Sequence, residues 1–304
     1  MTIKLLNTLK RFVATCILAL TFTQMSVAGV VINDTLKSEV LNSEIPFCVY
    51  LPDGFNRNTE QTYPVLYLLH VLTDNERAWT DKGQMERVAD DLMRSGESRQ
   101  MVIVMPCAGG RDIHNVWNGY FNMSGWNYED FFFNELMSAV EKKYRVRNSR
   151  EWRAIAGLSM GGGGSVGYAL RYPEKFCACY AMSAWLGSNK QLQHAKQNSK
   201  SKFYYLQETV DSLAATKVLK SLTAEERKYI SNVAWFIDCG DDDFLLDQSL
   251  EFYQTMRHLR VPAQFRVRDG NHNWEYWHTA LRICLPFVSR NMGEKEWLRV
   301  NDER

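Results

Sequence analysis

The sequence predicts an α/β fold in which a mostly parallel sheet carries helices on both faces. Three observations predict it. Short apolar runs of strand length recur along the chain, amphipathic stretches of helix length separate them, and a glycine-flanked serine sits at one strand-to-helix junction. Composition permits such a core: of 304 residues, 45% are hydrophobic and 23% charged, which excludes a disordered, collagenous or coiled-coil chain. That length approaches the limit of a single hydrophobic core.

Residues 1–28 read as an export signal. Lys4, Lys10 and Arg11 form a basic start, Phe12 to Phe22 an apolar run, and Ser26-Val27-Ala28 a small-residue cleavage site before Gly29. The run is too short to cross ~30 Å of hydrocarbon as a helix, so no stable membrane insertion is expected after cleavage. The net charge of +1 includes those three basic residues, and the remainder carries no basic cluster that would suit nucleic acid. Seven cysteines include Cys16 in the signal. Cys48, Cys107, Cys177, Cys179, Cys239 and Cys284 have neither zinc-site nor small-domain disulfide spacing, and their pairing is open from sequence.

Glu39-Val40-Leu41 and Phe47 to Leu51 suggest an N-terminal antiparallel pair. Strand-like runs then follow at Val65–His70, Met101–Met105, Trp152–Gly157, Phe176–Trp185, Val233–Asp238 and Ala263–Arg268. Helices are predicted near Gln84–Ser95, Tyr128–Tyr144, Met160–Arg171, Leu246–Leu259 and Trp274–Asn291. This alternation gives the parallel sheet. Residues 187–231 break it with a polar stretch and a helix-like Tyr204–Tyr229. No linker separates two halves, so residues 29–304 are expected to form one domain, with 187–231 inserted after a core strand at one end of the sheet, the end that carries the candidate residues below.

Gly157-Leu158-Ser159-Met160-Gly161 lies between a strand-like and a helix-like segment, the context of a nucleophile elbow. Small residues on either side of Ser159 let strand and helix approach closely, and the Met160 N–H at the helix start is free to bind an oxyanion. Gly162-x-Gly164-x-x-Gly167 matches a dinucleotide-binding pattern, but it lies inside the helix and lacks the acidic residue about 20 positions on. A serine nucleophile needs a base oriented by an acid. Asp243 ends a strand and its Gly240-Asp241-Asp242 turn, and His272 lies between the last strand and the last helix. Asp241, Asp242 and Asp247 compete for the role of acid. The loop after the first core strand offers the Leu72 N–H as second oxyanion donor, with a buried His70 bracing it.

These residues resemble the α/β-hydrolase esterase family that includes feruloyl and acetylxylan esterases of carbohydrate esterase family 1, tributyrin esterases, esterase D and the antigen 85 mycolyltransferases. The likeness runs from Tyr63 to Phe287 through Tyr63-Pro64-Val65-Leu66-Tyr67-Leu68-Leu69-His70, Gly157-Leu158-Ser159-Met160-Gly161-Gly162, Gly240-Asp241-Asp242-Asp243 and Gly270-Asn271-His272-Asn273-Trp274-x-x-Trp277. It implies an α/β-hydrolase fold, Ser159 as nucleophile, Asp243 as acid, His272 as base, and the Leu72 and Met160 amides as oxyanion hole. Val71 stands where the family has glycine after His70. A β-branched residue disfavours positive φ, so a reshaped loop is expected there.

The expected function is therefore that of an exported, periplasmic or secreted serine esterase, with no metal or organic cofactor. Its substrate is expected to be a short acyl or feruloyl ester of carbohydrate, with Trp117, Trp126 and Trp274 as candidate sugar- or aryl-binding rings and Trp277 as core. The alternatives are an acyltransferase of the mycolyltransferase type and a non-catalytic glycan-binding protein on the same scaffold.

Overall fold

The computed structural model describes residues 28–188 and 201–293. All of the export signal except Ala28, and most of the polar stretch at 188–202, lie outside the described residues. Strands β1 (Val30–Ser38), β2 (Ser43–Leu51), β3 (Val65–Leu69), β4 (Val102–Pro106), β7 (Arg153–Leu158), β8 (Ala178–Met182), β9 (Ala234–Gly240) and β10 (Gln264–Arg268) form an eight-stranded sheet ordered β1-β2-β4-β3-β7-β8-β9-β10. Only β2 runs against the rest, pairing antiparallel with both β1 and β4; every other neighbouring pair is parallel. Strands β5 (Asn122–Met123) and β6 (Trp126–Asn127) make a separate two-stranded ribbon. This is the α/β-hydrolase architecture.

Burial follows position in the sheet. Every residue of β3, β4, β7 and β8 is buried, as central parallel strands covered on both faces require, whereas the edge strands β1 and β10 are half exposed. Along β3 the side chains alternate between two cores: Val65, Tyr67 and Leu69 enter one, Leu66 and Leu68 the other.

The first core is closed by α3 (Tyr128–Asp130), a π-helical turn (Phe131–Leu136), α4 (Met137–Lys143), α5 (Met160–Arg171) and α9 (Leu246–His258). The helices α6 (Lys202–Ser212), α7 (Ala215–Ser221) and α8 (Ala224–Ser231) of the 187–231 segment join the same face through Phe203, Leu206, Leu219 and Ile230. The second core is closed by α1 (Ala78–Asp81), α2 (Met85–Arg94) and α10 (Trp274–Asn291).

Three expectations need correction. Glu39-Val40-Leu41 is the turn of the β1–β2 hairpin and not a strand, and Val40 is exposed. The single helix expected over Tyr128–Tyr144 is interrupted by the π turn, which lets Phe131 and Phe132 be buried together. The helix-like Tyr204–Tyr229 is three short helices, the last opened by a capping box between Thr223 and Glu226.

Candidate active site

Ser159 joins β7 to α5 with φ +52° and ψ −115°, a conformation of order 1–3 kcal/mol above the usual wells for a non-glycine residue. Its backbone is pinned there. The N–H donates to Met182 O, and the carbonyl accepts from both Gly163 N and Trp185 N, each at 2.9 Å. The flanking glycines are required by contact: a Cβ at Gly157 would lie 2.4 Å from Gly161 O, and one at Gly161 would lie 2.5 Å from Leu69 O. Helix α5 therefore begins against the C-terminal end of β3, beside the loop that carries Leu72.

The loops that carry Asp243 and His272 are zipped together past the ends of β9 and β10. Asp241 N donates to Arg268 O, Asp242 N to Gly270 O, and Gly270 N to the Asp241 carboxylate, at 2.9–3.1 Å. Beneath them the fully buried Asp238 carboxylate accepts from the Tyr180 and Tyr276 hydroxyls and faces Arg268 at 3.4 Å. These bonds tie β8, β9, β10 and α10 to one another.

The result brings Ser159, His272 and Asp243 together. His272 Nε2 lies 3.0 Å from Ser159 Oγ, and Nδ1 lies 2.9 and 3.0 Å from the two Asp243 carboxylate oxygens. An imidazole with its proton on Nδ1 satisfies both sides, donating to Asp243 and accepting from the Ser159 hydroxyl. Burial alone would raise the Asp243 carboxyl, but the hydrogen bonds from His272 and Leu245 N outweigh it and hold the group below its ordinary value. Such an arrangement can move a proton from the serine hydroxyl to the imidazole while the carboxylate stabilises the cation. Asp241 and Asp242 are exposed, and neither contacts His272.

The Met160 N–H lies at the first position of α5, where no intrahelical acceptor exists. Leu72 lies in the turn closed by Asp74 N donating to Val71 O at 3.3 Å. The positive φ of this loop falls at Thr73 (+73°) and not at Val71. His70 is buried in a single neutral form: Nδ1–H donates to Val71 O at 2.7 Å and Nε2 accepts from Ala108 N at 2.9 Å. Burial lowers its pKa from 6.5 to about 4.

Two residues absent from the sequence expectations touch this chain. Phe244, 47% exposed, lies with its ring 4.4 Å from the His272 ring, and Ser183, close to Asp243, accepts from Trp277 Nε1 at 3.0 Å. Trp277 is buried and meets His272 edge-on at 4.9 Å. Trp274 donates to Asp74 at 3.3 Å and packs on Trp79 and Trp277, while Trp117 and Trp126 stack on each other with Lys202 over Trp117. A cavity of about 660 Å³ between the end of α5 and helices α7 and α8 includes none of the three hydrogen-bonded residues.

The family described as "Putative esterase" matches residues 38–287 of this sequence. The chain belongs to that family. Among solved structures, a ferulic acid esterase is similar at 50% identity and TM-score 0.85, over 88% of this chain and 99% of its own. The endo-1,4-beta-xylanase/feruloyl esterase of Xylanibacter ruminicola is 32% identical over 42% of this chain and 18% of its own length. The acetyl esterase of Caldicellulosiruptor saccharolyticus is 23% identical over 54% of this chain and 64% of its own. The matches thus span less than two thirds of these two curated relatives. Among the described residues of this esterase-family chain, no helix is long and apolar enough to cross a membrane.

Proposed function

We propose that the protein is an exported serine esterase that hydrolyses short acyl or feruloyl esters of carbohydrate through an acyl-enzyme. The observation that carries this reading is the continuous Ser159–His272–Asp243 hydrogen-bonded chain, anchored on a serine at positive φ. Ser159 Oγ attacks the ester carbonyl as its proton passes to His272 Nε2. Asp243 keeps the imidazole in the Nδ1–H form and stabilises its cation. The Met160 and Leu72 amides receive the oxyanion, where one donor is typically worth ~3–4 kcal/mol. His272 then gives its proton to the leaving alcohol, and water, activated by the same base, releases the acid.

The substrate class is supported by the relatives named as feruloyl, ferulic acid and acetyl esterases, and by the exposed Phe244 ring beside the base, a flat apolar surface suited to an aryl acyl group. Residues 29–304 are taken as one catalytic domain, with the 187–231 insertion near the active site and residues 1–28 directing export, in keeping with a substrate outside the cytoplasm.

A fluorophosphonate probe tests the nucleophile: it labels the wild type at Ser159 and leaves Ser159→Ala unlabelled. The substrate class is tested by kcat/KM on acetylated and feruloylated oligosaccharides against medium- and long-chain triglycerides. Faster turnover of the long-chain lipids overturns the substrate assignment and leaves the nucleophile standing.

A further inference from the structure

We infer that Tyr120 is a positioning residue whose hydroxyl fixes the loop of the second oxyanion donor, Leu72, against the nucleophile helix α5. This rests on the serine-esterase reading above. His70 is buried and is the first residue past the end of β3, where pairing with β7 stops at Leu69 and pairing with β4 stops at Tyr67. Past that ladder its backbone groups need other partners. The Tyr120 hydroxyl supplies both, accepting from His70 N at 2.8 Å and donating to His70 O at 3.2 Å, two roles that a hydroxyl fills with one atom. The backbone of His70 is thereby held two residues before Leu72.

The point held in this way is also where the loop meets the nucleophile. A Cβ at Gly161 would lie 2.6 Å from His70 O, so the carbonyl that accepts from Tyr120 rests on the first turn of α5, one residue past Met160 and two past Ser159. The spacing between the Leu72 and Met160 amides therefore depends on where that carbonyl sits. Tyr120 is itself seated on α5, which accounts for two glycines of the Gly162-x-Gly164-x-x-Gly167 pattern. A Cβ at Gly164 would lie 2.9 Å from Tyr120 Cβ, and one at Gly167 would lie 2.6 Å from Phe121 Cε1. One turn beyond Gly164, the Tyr168 hydroxyl donates to the Tyr120 carbonyl. Helix α5 thus presents the nucleophile at its start and receives, along its middle, the residue that braces the opposite loop. The His70 imidazole adds a brace one residue later, linking Val71 O to Ala108 N.

Two variants separate this role from simple folding. Tyr120→Phe keeps the ring against Gly164 and removes only the hydroxyl, whereas Tyr50→Phe removes an equally buried hydroxyl that bonds Asp90, away from the oxyanion loop. On methyl ferulate, with rates taken per site titrated by a fluorophosphonate, Tyr120→Phe is expected to lower kcat by about tenfold to thirtyfold with KM within about twofold. That is part of the ~10²–10³ carried by a whole oxyanion donor, because the Leu72 amide is displaced and not removed. The inhibition constant of phenylboronic acid, whose tetrahedral adduct with Ser159 puts an oxygen where the oxyanion forms, should rise by about the same factor. Tyr50→Phe should lower Tm and leave kcat and the boronate constant within about twofold of wild type. Wild-type kcat in Tyr120→Phe, a fall in kcat with unchanged boronate inhibition, or an equal fall in Tyr50→Phe would overturn the bracing role. Should Ser159→Ala keep activity, the serine-esterase reading fails first. With Ser159→Ala inactive and Tyr120→Phe unimpaired, the bracing role alone fails.

Discussion

Ser159, Asp243 and Phe244 show how much chemistry depends on single positions. Asp243 is buried and bonded to His272, whereas Asp242, one residue earlier, is exposed. Asp243→Asn keeps the shape but loses the charge and the preferred imidazole tautomer, so kcat should fall by about 10⁴, with Asp242→Asn within about twofold of wild type. Steady-state kinetics on one substrate decide between them, and a severe Asp242→Asn would move the acid by one residue. Phe244 makes a different contribution, since its ring is exposed and touches the His272 ring. Phe244→Ala is expected to raise KM for a feruloyl ester by about threefold to tenfold with little change in kcat, and to leave KM for an acetyl ester nearly unchanged. Equal KM changes on both esters would deny the ring an acyl-binding role.

At the scale of elements, legibility in the sequence follows burial. Strands β3, β4, β7 and β8 are visible as continuous apolar runs because both faces are covered, and the start of α5 is visible because close contact with β3 demands glycine. Strand β1 is less legible: it is an edge strand, mostly exposed, with polar residues between its apolar ones, so its run carries a weak signal and the more apolar turn at Val40-Leu41 attracts the assignment instead. Ser183 and Phe244 were hidden for a related reason. Neither belongs to a motif, and their contacts form only when loops from β8, β9 and α10 meet.

His70 bridges two elements, joining the loop after β3 to the chain after β4, and it gives acid dependence a definite sign. Its pKa is about 4 in the folded protein against an ordinary 6.5, so the neutral ring stabilises the fold fully above pH 6.5 and this contribution is lost as pH falls from 6.5 toward 4. The loss amounts to about 3 kcal/mol. His70→Gln should be less stable at neutral pH and show a shallower decline over that window. Urea midpoints measured from pH 7 to 4 test this, and parallel declines for the two proteins would refute it.

Across the whole molecule, two cores on the faces of one sheet also determine the thiol chemistry. Cys48 and Cys284 lie in one core, Cys179 in the other, and Cys239 is buried at the end of β9; none of these thiols, nor half-buried Cys107, is in a disulfide. Burial pushes Cys48 up to about 11, Cys107 and Cys239 to about 12, and Cys179 and Cys284 higher than their ordinary value. Thiolate is the reactive form, so each group is short of the species that reacts, and the four buried ones are also shielded from reagent. The native protein should therefore consume almost no aromatic disulfide reagent at the four buried positions Cys48, Cys179, Cys239 and Cys284 near pH 8, and urea should release those four together, because each is exposed only when the sheet and its covering helices separate. Mass spectrometry of alkylated protein across the unfolding transition tests this position by position. Uptake at Cys179 or Cys284 well below the global midpoint would mean that one face of the sheet opens independently of the other.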